Sequence, residues 1–280
     1  MKHIPKKHLK QKYHRTERTG VFVEQTPPMG FDTESSSNLW DEVSHNLVDL
    51  NAKALQELIN LIPEDDTYAS GHEAINKIEG IIRNNLAETA VTIFRTKRYL
   101  SGMAAEFSVV EKLVRNRPLQ KIKANLRNII IGVLHLFTDD LDRKNISISI
   151  EEWYHASYID YETVRVSLYY FLGNCAKYIQ ENTKLEITFK IKRRHTNATF
   201  KMTSLYISPE DEKNIFNIER YSGFMACRAK LNGKGIGMYR AQKLLQLNGG
   251  RIIMTPGEAI NDDGIAYARN IFEIELPAAE

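Results

Sequence analysis

Disulfide chemistry is the first thing this sequence is short of. Its 280 residues include only two cysteines, Cys175 and Cys227, which is no disulfide framework. Long apolar runs are missing too. The longest, Ile129 to Phe137, is interrupted by Gly132 and His135 and is too short to cross a bilayer. No segment combines the charged start, apolar middle and small-residue cleavage site of a secretory signal. Neither an internal repeat nor a low-complexity tract is visible. These absences exclude a stapled secreted scaffold and a membrane-spanning chain, and leave the expectation of a cytoplasmic globular protein. A hydrophobic content of 42% with 26% charged residues fits one or two domains with a sizeable core.

The net charge of +3 is unevenly spread. Within residues 1–19, seven lysines and arginines face only Glu17, so this arm carries +6 and the remainder about −3. Such an arm can touch nucleic acid or an acidic partner, although a solvated terminus is the plainer expectation. Residues 20–38, with Pro27, Pro28, Gly30 and three consecutive serines, look like linker. The arm and linker are therefore assigned to 1–38.

Beyond the linker, apolar residues recur at helical steps. Trp40, Val43, Leu47, Leu50, Ala54, Leu58 and Leu61 predict a helix over 39–62. Ile75, Ile78, Ile82, Leu86, Ala90, Ile93 and Leu100 predict a second over 72–113, with a break near Ser101-Gly102. Together they make a helical hairpin, spanning 39–118, whose apolar stripe needs a partner. A second copy would close a dimeric four-helix bundle; the plainer alternative is a hairpin packed onto its own chain. Residues 119–143 read as a further amphipathic helix. Strands are expected at 146–150, 185–191, 199–207, 250–255 and 271–276, with helices at 162–180, at 210–217 and after Gly237. Asp262-Asp-Gly-Ile265 reads as a hairpin turn. The fold class expected is α+β: the hairpin first, then a two-layer α/β sandwich over 119–280.

Two stretches carry the chemistry. In Gly233-Lys-Gly-Ile-Gly-Met238 the glycines alternate, so the backbone can approach a ligand closely, and the helix that follows offers free N–H groups to a phosphate. On the 162–180 helix, Tyr170, Asn174, Lys177 and Tyr178 lie opposite the apolar face. An amide oxygen suits Mg²⁺ and a lysine one turn on can meet phosphate. Asn174-Cys-Ala-Lys-Tyr178, the glycine loop and Asn248-Gly-Gly-Arg-Ile252, in that order, resemble the N box, the G2 box and the following H-G-G-x-I of sensor histidine kinases and related ATPases. The resemblance covers roughly 120–277. It implies a sandwich of the histidine-kinase ATPase type that binds ATP, with Asn174 holding Mg²⁺. It implies further that Lys177, Tyr178, Gly233, Gly235 and Gly237 address the nucleotide, and that Arg220, Arg228 and Lys230 come from a lid over the triphosphate. An ordinary basic loop is the plainer account of those last three.

The chain departs from the family's pattern at the base. Met202 stands where the family has the aspartate that bonds adenine, Ser204 and Tyr206 stand where it has glycines, and Tyr170 replaces an Asn or Glu. Methionine is a weak acceptor, so weak nucleotide binding with poor base discrimination is expected. The resemblance also implies a phosphate-accepting histidine on the hairpin. His45, in Val43-Ser-His-Asn-Leu47, is preferred over His72, which precedes Glu73. The expected function is ATP-dependent phosphorylation of His45 in a homodimer, with transfer to the aspartate of a response-regulator receiver domain. Its rivals are a pseudokinase scaffold, a phosphotransfer protein fed by a partner, and an ATPase that is not a kinase.

Overall fold

The computed structural model describes residues 33–63, 71–262 and 264–279. Helix α1 (Thr33–Leu61) and helix α3 (Leu86–Val109) form an antiparallel pair, with α2 (His72–Asn84) leading into α3. The linker expected to reach residue 38 thus gives way to helix at Thr33; the basic arm lies outside the described residues. The second helical stretch breaks at Asn85, where φ is −133°, not at Ser101-Gly102. Gly102 is a contact point instead. A Cβ there would come 2.6 Å from the Tyr169 hydroxyl and 3.2 Å from Leu50, so this glycine lets α3 lie close to both α1 and the next domain. The helix ends in a π-turn, Val110–Val114.

Residues 119–143 are not one helix. Strand β1 (Lys121–Ala124) pairs antiparallel with β3 (Ser157–Asp160), a strand that the sequence pattern did not reveal. The Asn125 side chain then accepts a hydrogen bond from Asn128 N and starts α4 (Leu126–Leu134). A 3₁₀ turn (His135–Phe137) and α5 (Thr138–Arg143) follow. Next come β2 (Ser147–Ile150), α6 (Tyr161–Tyr178), β4 (Lys184–Lys192) and β5 (His195–Leu205). The last part comprises α7 (Pro209–Asn214), α8 (Phe224–Arg228), α9 (Gly237–Leu247), β6 (Arg251–Thr255), β7 (Ile260–Asp262) and β8 (Ile265–Pro277). The expected turn at 262–265 joins β7 to β8, with Gly264 at φ 80°.

The main sheet runs β2-β4-β5-β8-β6, with β7 beside β8; β2 and β4 are parallel and the other pairs antiparallel. Alternation along β4, β5 and β8 sends one set of side chains inward. Leu185, Ile187, Phe200, Phe272 and Ile274 meet Leu126, Ile130, Leu168, Phe171 and Leu245 from α4, α6 and α9. The result is the α+β arrangement expected: a helical hairpin, then a two-layer sandwich of helices on one sheet face. No helix of the described residues is long and apolar enough to cross a membrane.

Two devices fix α6, the helix on which Asn174 and Lys177 stand. At its start, buried Asp160 accepts bonds from Thr163 N, Thr163 Oγ1 and Gln120 N and pairs with Lys112 at 3.2 Å. At its end, Lys144 Nζ donates to the carbonyls of Ala176, Lys177 and Ile179. Asn248 reaches the same corner, its Oδ1 accepting from Asp160 N at 2.7 Å. Gly249 (φ 75°) turns the chain there. A Cβ on Gly250 would sit 2.3 Å from Glu275 O, so the Asn-Gly-Gly turn is demanded by packing.

Burial alone would raise the Asp160 pKa, but the bonds from Thr163 and Gln120 and the charge of Lys112 outweigh it and hold the carboxyl below its ordinary value. A depressed carboxyl pKa gives stability that is present above the unfolded value near 4 and is lost as pH falls through the folded value. Urea denaturation of Asp160→Ala should show a loss of roughly 2–4 kcal/mol at pH 7. The wild type should weaken more steeply below about pH 4 than Asp160→Asn does.

Candidate functional site

Between α6, the ends of β5 and the segment 206–238 lies a cavity of about 360 Å³. Its inner part is apolar, lined by Phe171, Met202, Leu205, Ile215 and Phe272. Its mouth is polar, with Asn174, Lys177, Tyr178 and the loop Gly233–Gly237. An apolar slot with a cationic rim suits a flat ring carrying an anionic tail.

The glycines of the loop have distinct reasons to be there. Gly235 has φ 71°, and a Cβ on it would lie 2.5 Å from the Arg220 backbone. On Gly237 a Cβ would meet the Asn174 amide at 2.8 Å, and on Gly233 it would stand 3.1 Å from Lys177 Nζ. The loop therefore passes directly over α6. Helix α9 begins at Gly237, so its free N–H groups open beside Asn174.

Asn174 donates through Nδ2 to the Tyr170 carbonyl at 2.9 Å, which leaves the amide oxygen as its group for a cation. Lys177 is half-buried; desolvation pushes its ammonium pKa down, and an incoming anion would reverse that penalty. Its Nζ lies over the Tyr178 ring, 5.2 Å from the centroid. Tyr178 is also half-buried; burial, with Cys227 nearby, pushes its phenol up. Arg228 and Lys230 are exposed and do not line the cavity. Arg228 instead neighbours the turn at Gly264, and Arg220 pairs with Glu42 of α1 at 3.1 Å. The proposed lid is thus partly helix, α8, and two of its cations point elsewhere.

Met202 is buried in the cavity wall. One carboxylate, Asp211, lines the cavity, and its acceptors are already used: Oδ1 takes Tyr221 Oη at 2.8 Å and Phe224 N at 3.1 Å, and Oδ2 takes Ser208 N. Asp211 fastens 221–224 to α7, with both of its oxygens engaged. Tyr170 is partly buried; desolvation drives its phenol pKa well up and Glu106 adds to this, while Arg240 opposes. It remains protonated and donates to Glu106 Oε1 at 2.9 Å.

That last bond opens onto a network that sequence reasoning missed. Arg240, on α9, is only 1% exposed and binds Glu106 Oε2 at 2.8 Å and Glu42 Oε1 at 2.7 Å. Burial alone lowers its pKa, but Tyr170, Glu106 and Glu42 more than offset this and raise it. Glu42 is on α1 and Glu106 on α3, so the hairpin is tied to the helix that follows the glycine loop. One turn beyond Glu42 stands His45. Lys234 Nζ, from between two loop glycines, lies 3.1 Å from His45 Nδ1 and also binds Asn46 Oδ1. His45 is thereby brought to the loop, whereas His72 stands at the start of α2; both are exposed and neither lines the cavity. Lys234 had no sequence signal beyond its place inside the glycine loop.

No known family's profile matches the chain, and no curated protein does. Among solved structures it is similar to full-length ShkA in complex with AMPPNP (16% identity over 87% of this chain and 46% of that one, TM-score 0.49). It is similar also to histidine kinase ThkA in complex with the response regulator protein TrrA (16%, 88% and 62%, TM-score 0.47). A third is the Acinetobacter baumannii histidine kinase AdeS (15%, 85% and 98%, TM-score 0.45). These likenesses are loose, and the fold stands on the elements described above.

Proposed function

We propose that this chain is a histidine-kinase-like protein of two-component signalling, in which ATP phosphorylates His45 and the group passes to an aspartate of a response-regulator receiver domain. The observation that supports this most is the place of His45, brought to the glycine loop of its own chain with Lys234 3.1 Å from its ring. A ring nitrogen is a good nucleophile near neutral pH. It would attack the terminal phosphorus while the bond to the bridging oxygen breaks. That oxygen keeps the electron pair, ADP leaves, and the ring proton goes to solvent. A receiver carboxylate would then displace the imidazole.

Residues 119–280 would be the nucleotide unit. The base would enter the apolar slot beside Met202, and the phosphates would lie along Gly233, Gly235, Gly237, Lys177, Tyr178 and the start of α9. Among the described residues no cluster of three His, Cys, Asp or Glu could hold a metal. Mg²⁺ would therefore arrive on the nucleotide, with the Asn174 oxygen as its protein ligand. Arg228 and Lys230 would take part only after 217–232 closes further. Residues 39–118 would be the dimerisation and acceptor unit. Leu86, Ile93, Leu100 and Phe107 repeat at seven-residue steps on α3 and each is more than half exposed. Such a seam fits a second copy. We place the protein in the cytoplasm and give the arm at 1–19 no role.

The rival is a scaffold or phosphotransfer protein with little ATP use. It is favoured by the cavity itself, where the one carboxylate is spent on the lid and Tyr170 on Glu106.

Labelled ATP with Mg²⁺ separates these. The wild type should acquire acid-labile label, which His45→Gln abolishes and His72→Gln retains. Released phosphate without label would indicate an ATPase, and no binding at millimolar ATP would favour the scaffold. Light scattering should find a dimer at micromolar concentration, and Leu100→Lys should shift it to monomer, since each buried apolar side chain contributes roughly 1.5–3 kcal/mol. A monomeric wild type would contradict the seam.

A further inference from the structure

The loop lysine touches the acceptor histidine, a contact that the proposed transfer does not itself require. An ammonium has three donors and no acceptor. In the bond between Lys234 Nζ and His45 Nδ1 the ring nitrogen therefore accepts, and the ring hydrogen of a neutral imidazole sits on Nε2. Held this way, His45 has no free lone pair: that of Nδ1 is engaged and Nε2 carries the hydrogen. Lys234 also donates to Asn46 Oδ1, so the ammonium is shared between two neutral acceptors on α1. It lines the mouth of the cavity as well, and the adjacent Gly233 lies against Lys177.

We propose that Lys234 is a positioning residue that binds either His45 of its own chain or the nucleotide's phosphates, so that nucleotide binding frees the histidine for phosphorylation. This rests on the function proposed above. A triphosphate carries several negative charges, so the ammonium gains an attraction between opposite charges there that a neutral imidazole and a neutral amide do not offer. Once Lys234 turns to the phosphates, a ring lone pair is free. His45 stays near, because Glu42, three residues earlier on α1, remains tied to buried Arg240. The exchange thus makes the acceptor reactive only when its donor is in place.

The test is NMR of the full chain carrying ¹⁵N-histidine, at about pH 8, above the ordinary histidine range. The His45 signal is assigned by its loss in His45→Gln. Lys234→Met should displace the Nδ1 resonance, and saturating Mg–AMPPNP should move the wild-type resonance in the same direction. Nucleotide should leave it unmoved in Lys234→Met, and Lys234→Arg should restore the wild-type position. Lys234→Met should also weaken Mg–AMPPNP binding by roughly tenfold or more. A His45 resonance that is the same in wild type and Lys234→Met overturns the proposal. So does one that ignores bound AMPPNP in a wild type that still labels His45; there the kinase function survives alone. A wild type that takes up no AMPPNP overturns both.

Discussion

One buried cation holds the two halves of this molecule together. Arg240 draws Glu42 from the first hairpin helix and Glu106 from the third onto the helix that begins at the glycine loop. At 1% exposure the guanidinium would be an uncompensated buried charge without those carboxylates, and Glu106 would be one without it. Tyr170 completes the set by donating to Glu106. The placement of His45 at the loop follows from this lock, since Glu42 and His45 are one turn apart on the same helix. Further pairs between Arg95 and Asp139 and between Arg98 and Asp140 hold the far side of the hairpin to α5.

The lock also gives a physical account of a departure from the family's pattern. Tyr170 sits one turn before Asn174, where the resemblance to sensor histidine kinases implies an Asn or Glu. Here its ring reaches across to the hairpin, and its hydroxyl serves the ion-pair network. The position serves the docking of the hairpin on the sandwich. Asp211 shows the same economy: a carboxylate in the cavity wall that fastens the segment at 221–224 to α7. What the cavity presents is an apolar slot, a glycine loop, one amide oxygen and two lysines.

Much of this was legible in the sequence where the signal is local. The period of 3.6 marked α1 and α6, alternation marked β4 and β5, and Gly233, Gly235 and Gly237 marked a loop whose contacts the structure now explains. Asn248-Gly-Gly was legible as a motif, but its work, turning the chain and accepting from Asp160 N, needed the fold. What could not be read depends on distant partners. Arg240 looked like one more polar residue on an amphipathic helix, because Glu42 and Glu106 lie 198 and 134 positions away. Lys234 meets His45 across 189 positions. Strand β3 is four residues long and owes its existence to β1, so no periodicity could announce it. Gly102 reads as a helix breaker in the sequence because its role, close approach to Tyr169 and Leu50, shows only in the packing.

The central claim is that the hairpin and the α/β sandwich move as one unit through Arg240. Amide hydrogen exchange on Arg240→Met tests it most directly. With the guanidinium gone, buried Glu106 keeps only the Tyr170 hydroxyl and partly buried Glu42 keeps only Arg220, at a cost of up to about 3–5 kcal/mol. Exchange should then accelerate together in α1 around Glu42–Asn46 and in the loop from Gly233 to Arg240, while β4, β5 and β8 keep their protection. Acceleration confined to α9, with α1 as protected as in the wild type, would contradict the account.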